Sequence, residues 1–106
     1  MSFIIVIMTA PNKQEAVSIV RKLLEERLIA CANILDSVHS LFWWKGKIEQ
    51  DEEVLVLMKS QQTLFKKLSE RIKEHHSYNL PEILALPVVD GSPFYLEWMK
   101  SCLNSL

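Results

Sequence analysis

The stretch that decides the fold is Ile29–Lys59, which reads IACANILDSVHSLFWWKGKIEQDEEVLVLMK. Its first half, Ala30–Trp44, is rich in β-branched, aromatic and apolar residues that suit a pleated, half-buried surface. Lys45 and Gly46 predict the turn, because glycine accepts a positive φ without a steric penalty. Lys47–Lys59 is then the return strand, and the whole stretch predicts one long β-hairpin.

This hairpin is too long for the domain that carries it. The fifteen residues of Ala30–Trp44 would span about 50 Å when extended, whereas a compact domain of this length is about 33 Å across. Trp43 and Trp44 point to opposite faces of the strand, so one small domain cannot readily cover both. We therefore predict that Phe42, Trp43 and Trp44 lie in the interface of an obligate homo-oligomer. The alternative is a bulged hairpin that curls over its own core.

The sequence around the hairpin predicts alternating strands and helices. Phe3–Thr9 is an unbroken apolar run typical of a buried strand. Apolar residues at three- and four-residue steps predict helices over Lys13–Arg27, begun by Asn12 and Glu15 in capping-box spacing, and over Thr63–His75. Ile83–Val89 is a short apolar strand interrupted at Pro87. Ser92 then caps a terminal helix whose first residue is Pro93. This order predicts an α+β, ferredoxin-like βαββαβ fold with one antiparallel sheet, a long central hairpin and a C-terminal helix, in a single domain over residues 1–106.

Composition narrows the function classes. The chain has 106 residues, of which 49% are apolar, and a formal net charge of −1, so it lacks the basic footprint of a nucleic-acid binder. Its two glycines lie far apart, which excludes a glycine-rich phosphate loop. The longest apolar run, Phe3–Met8, is too short for a membrane span and is not preceded by basic residues as in a signal peptide. We therefore predict a cytoplasmic protein with no membrane contact, in which Cys31 and Cys102 are free thiols.

Five short motifs in fixed order resemble the CutA family of divalent-cation tolerance proteins. They are TAP after the first strand, ACAN, W-x-G-x-I-x-x-x-x-E, HSYNLPEI and a terminal Y-L-x-W, at Thr9–Pro11, Ala30–Asn33, Trp44–Glu53, His76–Ile83 and Tyr95–Trp98. No single motif is specific, but together they cover essentially the whole chain. The resemblance implies a ferredoxin-like homotrimer with a role in tolerance of heavy metals such as copper, and metal binding by some members.

His75 and His76 are the candidate metal ligands, because adjacent imidazoles suit a borderline cation such as Cu²⁺. The resemblance implies a histidine pair at this point, together with a cysteine at the end of the first strand. Met8 stands where that cysteine would be, and a thioether ligates Cu(I) but is a weak ligand for Cu(II) or Zn(II). Ser77 replaces the family's usual proline. The structural alternative is a histidine that binds carbonyls at a helix C-terminus.

Tyr78, Glu82 and Trp98 are candidates for a cleft between subunits, with core or interface packing and backbone capping as the alternatives. This leaves a rival function, a trimeric sensor that binds a small ligand in such clefts. A thiolate copper chaperone is disfavoured because the loop after the first strand, MTAPNK, has no cysteine. No hydrolase motif or paired acid and base is present, so we predict neither catalysis nor an organic cofactor.

Overall fold

The computed structural model describes residues 2–105 and contains one four-stranded sheet. All neighbouring strands are antiparallel, and their order is β2-β3-β1-β4. The strands are β1 (Phe3–Ala10), β2 (Cys31–Trp44), β3 (Lys47–Gln61) and β4 (Ile83–Pro87), and the helices are α1 (Lys13–Glu25), α2 (Phe65–His75) and α3 (Pro93–Cys102), with a 3₁₀ turn at Gln62–Leu64. The predicted ferredoxin-like α+β fold is confirmed, including the end of β4 at Pro87 and its place at the sheet edge.

The core lies between one face of the sheet and the helices. Along β1 the alternate side chains Ile4, Val6 and Met8 are fully buried on this face. Helix α1 covers them with the apolar stripe that the sequence predicted, and α2 adds a shorter one; the buried members are Ala16, Ile19, Val20, Leu23, Leu68 and Ile72. Each large side chain of this kind stabilises the fold by about 1.5–3 kcal/mol on burial.

Helix α1 ends at Glu25, two residues before the predicted end at Arg27. Arg27 has a φ of 57°, and its N–H donates to Leu24 O at 3.0 Å, while the N–H of Leu28 donates to Leu23 O at 3.0 Å. This pair of bonds is a Schellman motif, which stops a helix and packs the following apolar residue against it. Leu28 is fully buried for that reason, so it extended the apolar stripe in the sequence without extending the helix.

The opposite face of the sheet, here called the open face, is not the one that packs on α1 and α2; α3 reaches its edge, where the hydroxyl of Tyr95 lies 3.3 Å from Cys31 Sγ. Leu57, Ile7 and Leu84 form a row of paired residues across β3, β1 and β4 on this face. Leu57 and Ile7 are half-buried, while Leu84 at the edge is 58% exposed. Apolar side chains therefore line both faces of the strands, but α1 and α2 cover only one of them.

The hairpin of β2 and β3 is both bulged and exposed. A shift in the pairing register between Leu35 and Val38, with Ser37 at a φ of 58°, bends β2. Beyond it the strands pair as far as Trp44 and Lys47, and the two turn residues have φ values of 50° and 78°, as a type I′ turn requires. Trp43 remains 71% exposed at the tip. The bulge does not bring the tip over the core.

Helix α3 is less buried than its apolar stripe predicted. Met99 is buried and Cys102 half-buried, but Tyr95 and Trp98 are each 44% exposed. The helix contributes its C-terminal end to the core, and Leu103 follows there. The side chain of Ser92 makes no capping hydrogen bond, unlike that of Asn12 at α1, so Pro93 alone marks this helix start.

Candidate functional site

His76 lies directly after α2, and its side chain is fully buried. Its backbone N–H donates to Ile72 O at 2.9 Å and closes the last turn of the helix. Its Nε2 lies 2.7 Å from Thr9 O, and its Nδ1 accepts the backbone N–H of Tyr78 at 3.0 Å. A carbonyl can only accept, and a backbone N–H can only donate. These partners assign the neutral tautomer with its proton on Nε2, so both ring nitrogens are already bonded.

Glu15 joins α1 to the segment after α2. Its backbone N–H donates to Asn12 Oδ1 at 2.8 Å, as the predicted cap requires. Its carboxylate does not return to the cap; Oε2 instead accepts the N–H of Ser77 at 3.0 Å and the hydroxyl of Ser77 at 2.9 Å. The same oxygen lies 3.4 Å from His76 Nδ1. Sequence reasoning missed Glu15 as a site residue, since only the packing of α1 beside residue 77 shows its role.

Tyr78 joins this network to the hairpin. Its ring lies 4.7 Å from that of His76, and its hydroxyl donates to Glu53 Oε2 at 2.9 Å. Glu53 is only 9% exposed, so its carboxylate depends on this donor. Burial, and then the hydrogen bond to Glu53, raises the pKa of Tyr78 above its ordinary value. The phenol therefore remains a neutral donor throughout the physiological pH range.

The three predicted metal positions have different surroundings. His75 is the half-buried last residue of α2, His76 is wholly buried, and Met8 is fully buried among the core side chains of β1. Within residues 2–105, no group of three or more histidine, cysteine, aspartate or glutamate side chains is arranged to hold a metal ion. The ring of His76 can accept a metal only if one of its two hydrogen bonds is replaced.

A cavity of about 1010 Å³ opens beside this network, where β1 ends and the hairpin leaves the sheet. Two of the three predicted cleft residues, Tyr78 and Glu82, line it. The third, Trp98, is not among its lining residues and lies against Tyr95 on α3, with 5.4 Å between ring centroids. The hairpin contributes the aromatic rings of Phe42 and Trp44 and several carboxylates to the wall.

The fold and this site define a class: a ferredoxin-like α+β domain whose central hairpin extends past the sheet, with a buried histidine and a cavity at its base. The model of one family, described as CutA1 divalent ion tolerance protein, matches residues 4–102. The chain belongs to the CutA1 family, and the resemblance drawn from its five motifs is confirmed.

Named relatives agree with this assignment. The divalent-cation tolerance protein CutA of Pyrococcus horikoshii is 45% identical over 96 residues, covering 91% of this chain and 93% of that protein. The rice protein CutA 1, chloroplastic, is 39% identical over 92% of this chain, which spans only 55% of the rice protein. The crystal structure of CutA1 from Oryza sativa superimposes with a TM-score of 0.96 at 36% identity, over 100% of this chain and 97% of that one.

The predicted cytoplasmic location is wrong as an inference for this family. The rice relative is named chloroplastic. A structure described as the periplasmic divalent cation tolerance protein CutA from Archaeoglobus fulgidus is 35% identical, with a TM-score of 0.93 over 96% of this chain and 99% of that one. Members with this fold therefore occupy different compartments. Among the described residues, no helix is long and apolar enough to cross a membrane.

Proposed function

We propose that the chain acts as a homotrimer in the response to heavy-metal ions. The family description supports a role with divalent cations. The observation that supports assembly is the open face, where the row through Leu57, Ile7 and Leu84 lies opposite the core and Leu84 is 58% exposed. The hairpin also carries exposed apolar side chains, including Trp43, and exposed apolar patches of this kind mark interfaces. Covering these surfaces takes other copies of the chain.

A lysine on the open face tests the assembly. We expect Leu84→Lys to lower the mass measured by light scattering, because a buried unpaired charge opposes association. The matched control is Leu24→Lys on the outer side of α1, where Leu24 is also exposed. Circular dichroism confirms that both variants fold. If both leave the mass of the wild type unchanged, Leu84 is not in the interface.

Copper is the cation that we propose, with His75 and His76 as its ligands. Their adjacency at the end of α2 supports this choice. Because Nε2 of His76 carries its proton toward Thr9 O, the metal would take the lone pair on Nδ1 and displace the N–H of Tyr78. Met8 contributes packing rather than a ligand in this proposal, since its side chain is wholly buried.

Calorimetric titration with Cu²⁺ tests the histidine pair. We expect the wild type to bind and the double variant His75→Ala, His76→Ala to lose that binding. His39→Ala is the matched control, because His39 is the third histidine of the chain and lies on the hairpin, bonded to Gln50 at 2.7 Å. Equal binding by the wild type and the double variant would remove the site.

A second candidate function is a trimeric sensor of a small ligand, and the cavity supports it. Its volume of about 1010 Å³ is at the upper end of ordinary ligand pockets. Neither candidate involves catalysis or an organic cofactor. The Tyr78 hydroxyl is bonded to Glu53 and the ring of His76 to two backbone groups, so both side chains have structural roles. Both proposed functions therefore rest on binding.

A further inference from the structure

Asp90 and Gly91 lie in the loop that joins β4 to α3. Both residues are exposed, and neither belongs to a helix or a strand. The N–H of Val88 still donates to Phe3 O at 3.0 Å, and the helix begins at Pro93. The two residues therefore follow the bonds to the sheet and precede those of the helix. Exposed loops of this kind are the parts of a fold where chemical change is most easily accommodated.

The side chain of Asp90 is directed at the peptide bond that follows it. The N–H of Gly91 donates to Asp90 Oδ1 at 2.8 Å. Asp90 Cγ carries this oxygen, so the carbon of the carboxyl group lies beside the same nitrogen. Two groups held in contact react as an intramolecular pair, without the entropic cost of an encounter. Glycine adds no side chain to obstruct the approach, and its backbone adopts conformations closed to other residues.

We propose that Asp90 is a site of spontaneous isomerisation to isoaspartate. The nitrogen of Gly91 bonds to Cγ of the protonated Asp90 carboxyl group, and its proton leaves with the carboxyl hydroxyl as water. The product is a five-membered succinimide, which water then opens. If the bond between Gly91 N and Asp90 C breaks, the main chain runs through Cγ and the α-carboxylate becomes the branch; if the new bond breaks, aspartate returns. One water leaves and one enters, so no further reactant is needed.

The other two aspartates of the chain have different surroundings. Asp51 lies within β3 and precedes Glu52, whose backbone is paired across the hairpin. Asp36 lies in β2 and precedes Ser37, and its Oδ2 lies 3.8 Å from Lys13 Nζ. A serine or a glutamate side chain crowds the nitrogen that would attack, and strand pairing restricts its movement. Asp90 alone of the three precedes a glycine.

Isomerisation alters the chain where it enters α3, because it adds one carbon atom to the main chain before Pro93. Gly91 packs closely on Leu96: a Cβ placed on this glycine would lie 3.2 Å from Leu96 Cδ2. The longer main chain must therefore displace this contact at the first turn of the helix. The product also presents an α-carboxylate, which carboxyl methyltransferases specific for isoaspartate can methylate. This inference goes beyond both proposed functions and depends on neither the trimer nor copper.

Peptide mapping of the folded protein, after incubation at physiological temperature and neutral pH, tests the inference. Trypsin releases residues 74–100, in which Asp90 is the only aspartate. Electron-transfer fragmentation locates isoaspartate, which leaves the peptide mass unchanged, whereas deamidation of Asn79 would raise it. We expect isoaspartate to accumulate at Asp90 at least about tenfold faster than at Asp36 or Asp51, because only Asp90 holds its carboxyl group against an unobstructed nitrogen.

Asp90→Glu is the matched control, because it keeps the charge while its longer side chain would have to close a larger ring. With S-adenosylmethionine and an isoaspartate-specific carboxyl methyltransferase, the incubated wild type should take up methyl groups and Asp90→Glu should lose most of that uptake. Circular dichroism confirms that both proteins are folded. Equal uptake by the two would overturn the inference. Absence of isoaspartate at Asp90 in the folded wild type would also overturn it, and a parallel incubation in guanidinium chloride then shows whether folding protects this residue.

Discussion

The two faces of the sheet have similar amino acids but different surroundings. On the inner face, Val6 and Met8 are fully buried beneath the helices. On the open face, Ile7 is half-buried between two leucines and Leu84 is 58% exposed. A strand with one solvent-exposed face would alternate apolar and polar residues, whereas β1 is apolar at every position from 3 to 8. Both faces of β1 are therefore apolar, whereas the helices of this chain bury only the inner one.

The largest loss of stability should come from truncating a core side chain of α1, which packs on the inner face of the sheet. Leu23→Ala removes a fully buried side chain and is expected to lower the free energy of unfolding by about 2–5 kcal/mol. Leu84→Ala is the matched change on the open face, and in an isolated subunit it should cost less than about 0.5 kcal/mol. Denaturant unfolding at several protein concentrations measures both. A larger loss in Leu84→Ala that depends on concentration would show that the open face is covered.

The next largest loss of stability is expected from removing a buried histidine, compared with removing an exposed one. His76→Ala leaves Thr9 O and the N–H of Tyr78 without their partner, and an orphaned buried polar group costs about 1–3 kcal/mol. His39→Ala on the hairpin removes an exposed bond and should change stability by less than about 0.5 kcal/mol. Thermal unfolding of the two variants makes the comparison. Equal losses would contradict the structural role of His76.

Tyr78→Phe tests the link between the histidine network and the hairpin. Glu53 is mostly buried and loses its donor, so a loss of about 1–3 kcal/mol is expected at neutral pH. Because the folded-state pKa of Tyr78 is raised, its contribution is complete below the ordinary value of 10.0 and declines as the pH rises above it. Unfolding measured from pH 7 to 12 should therefore show the wild type approaching Tyr78→Phe. Tyr95→Phe is the matched comparison at neutral pH. The hydroxyl of Tyr95 is bonded to Cys31 rather than to a buried carboxylate, so its removal should cost less than that of the Tyr78 hydroxyl.

The smallest loss of stability is expected from breaking an ion pair between the C-cap of α1 and helix α2. Arg71 donates to both carboxylate oxygens of Glu26, at 2.7–3.2 Å, and this bonding lowers the pKa of Glu26. A lowered folded-state pKa adds stability above the ordinary value of 4.5, and this is lost as the pH falls through the folded-state value. Glu26→Gln should be slightly less stable than the wild type at pH 7 and equal to it in acid. Glu25→Gln should show no such difference, because exposed single charges contribute little.

The fold was predictable because its signals are local. The Lys45-Gly46 turn, the cap at Asn12 and the proline that ends β4 each act within a few residues. The end of α1 was placed two residues late, because Leu28 continued the apolar stripe while a left-handed Arg27 ended the helix. Pattern alone does not distinguish a helical leucine from one packed just after the cap.

The candidate site was predictable only in part. Adjacent histidines and the H-S-Y segment drew attention to His76 and Tyr78, whose rings lie 4.7 Å apart in the structure. The partners of His76 are a backbone carbonyl on β1 and the N–H of Tyr78, and backbone groups leave no sequence signature. Glu15 lies 62 positions from Ser77 and meets it only through the packing of α1. Trp98, chosen for its residue type, lies against Tyr95 on α3 and is not among the residues that line the cavity.

In the proposed trimer, other copies of the chain cover the open face, and the mass of the wild-type protein tests this most directly. Sedimentation velocity over a micromolar concentration series should give one species of three times the 12.3 kDa of a single chain. Circular dichroism on the same samples confirms the fold. A folded species with the mass of one chain across that range would contradict the proposed trimer.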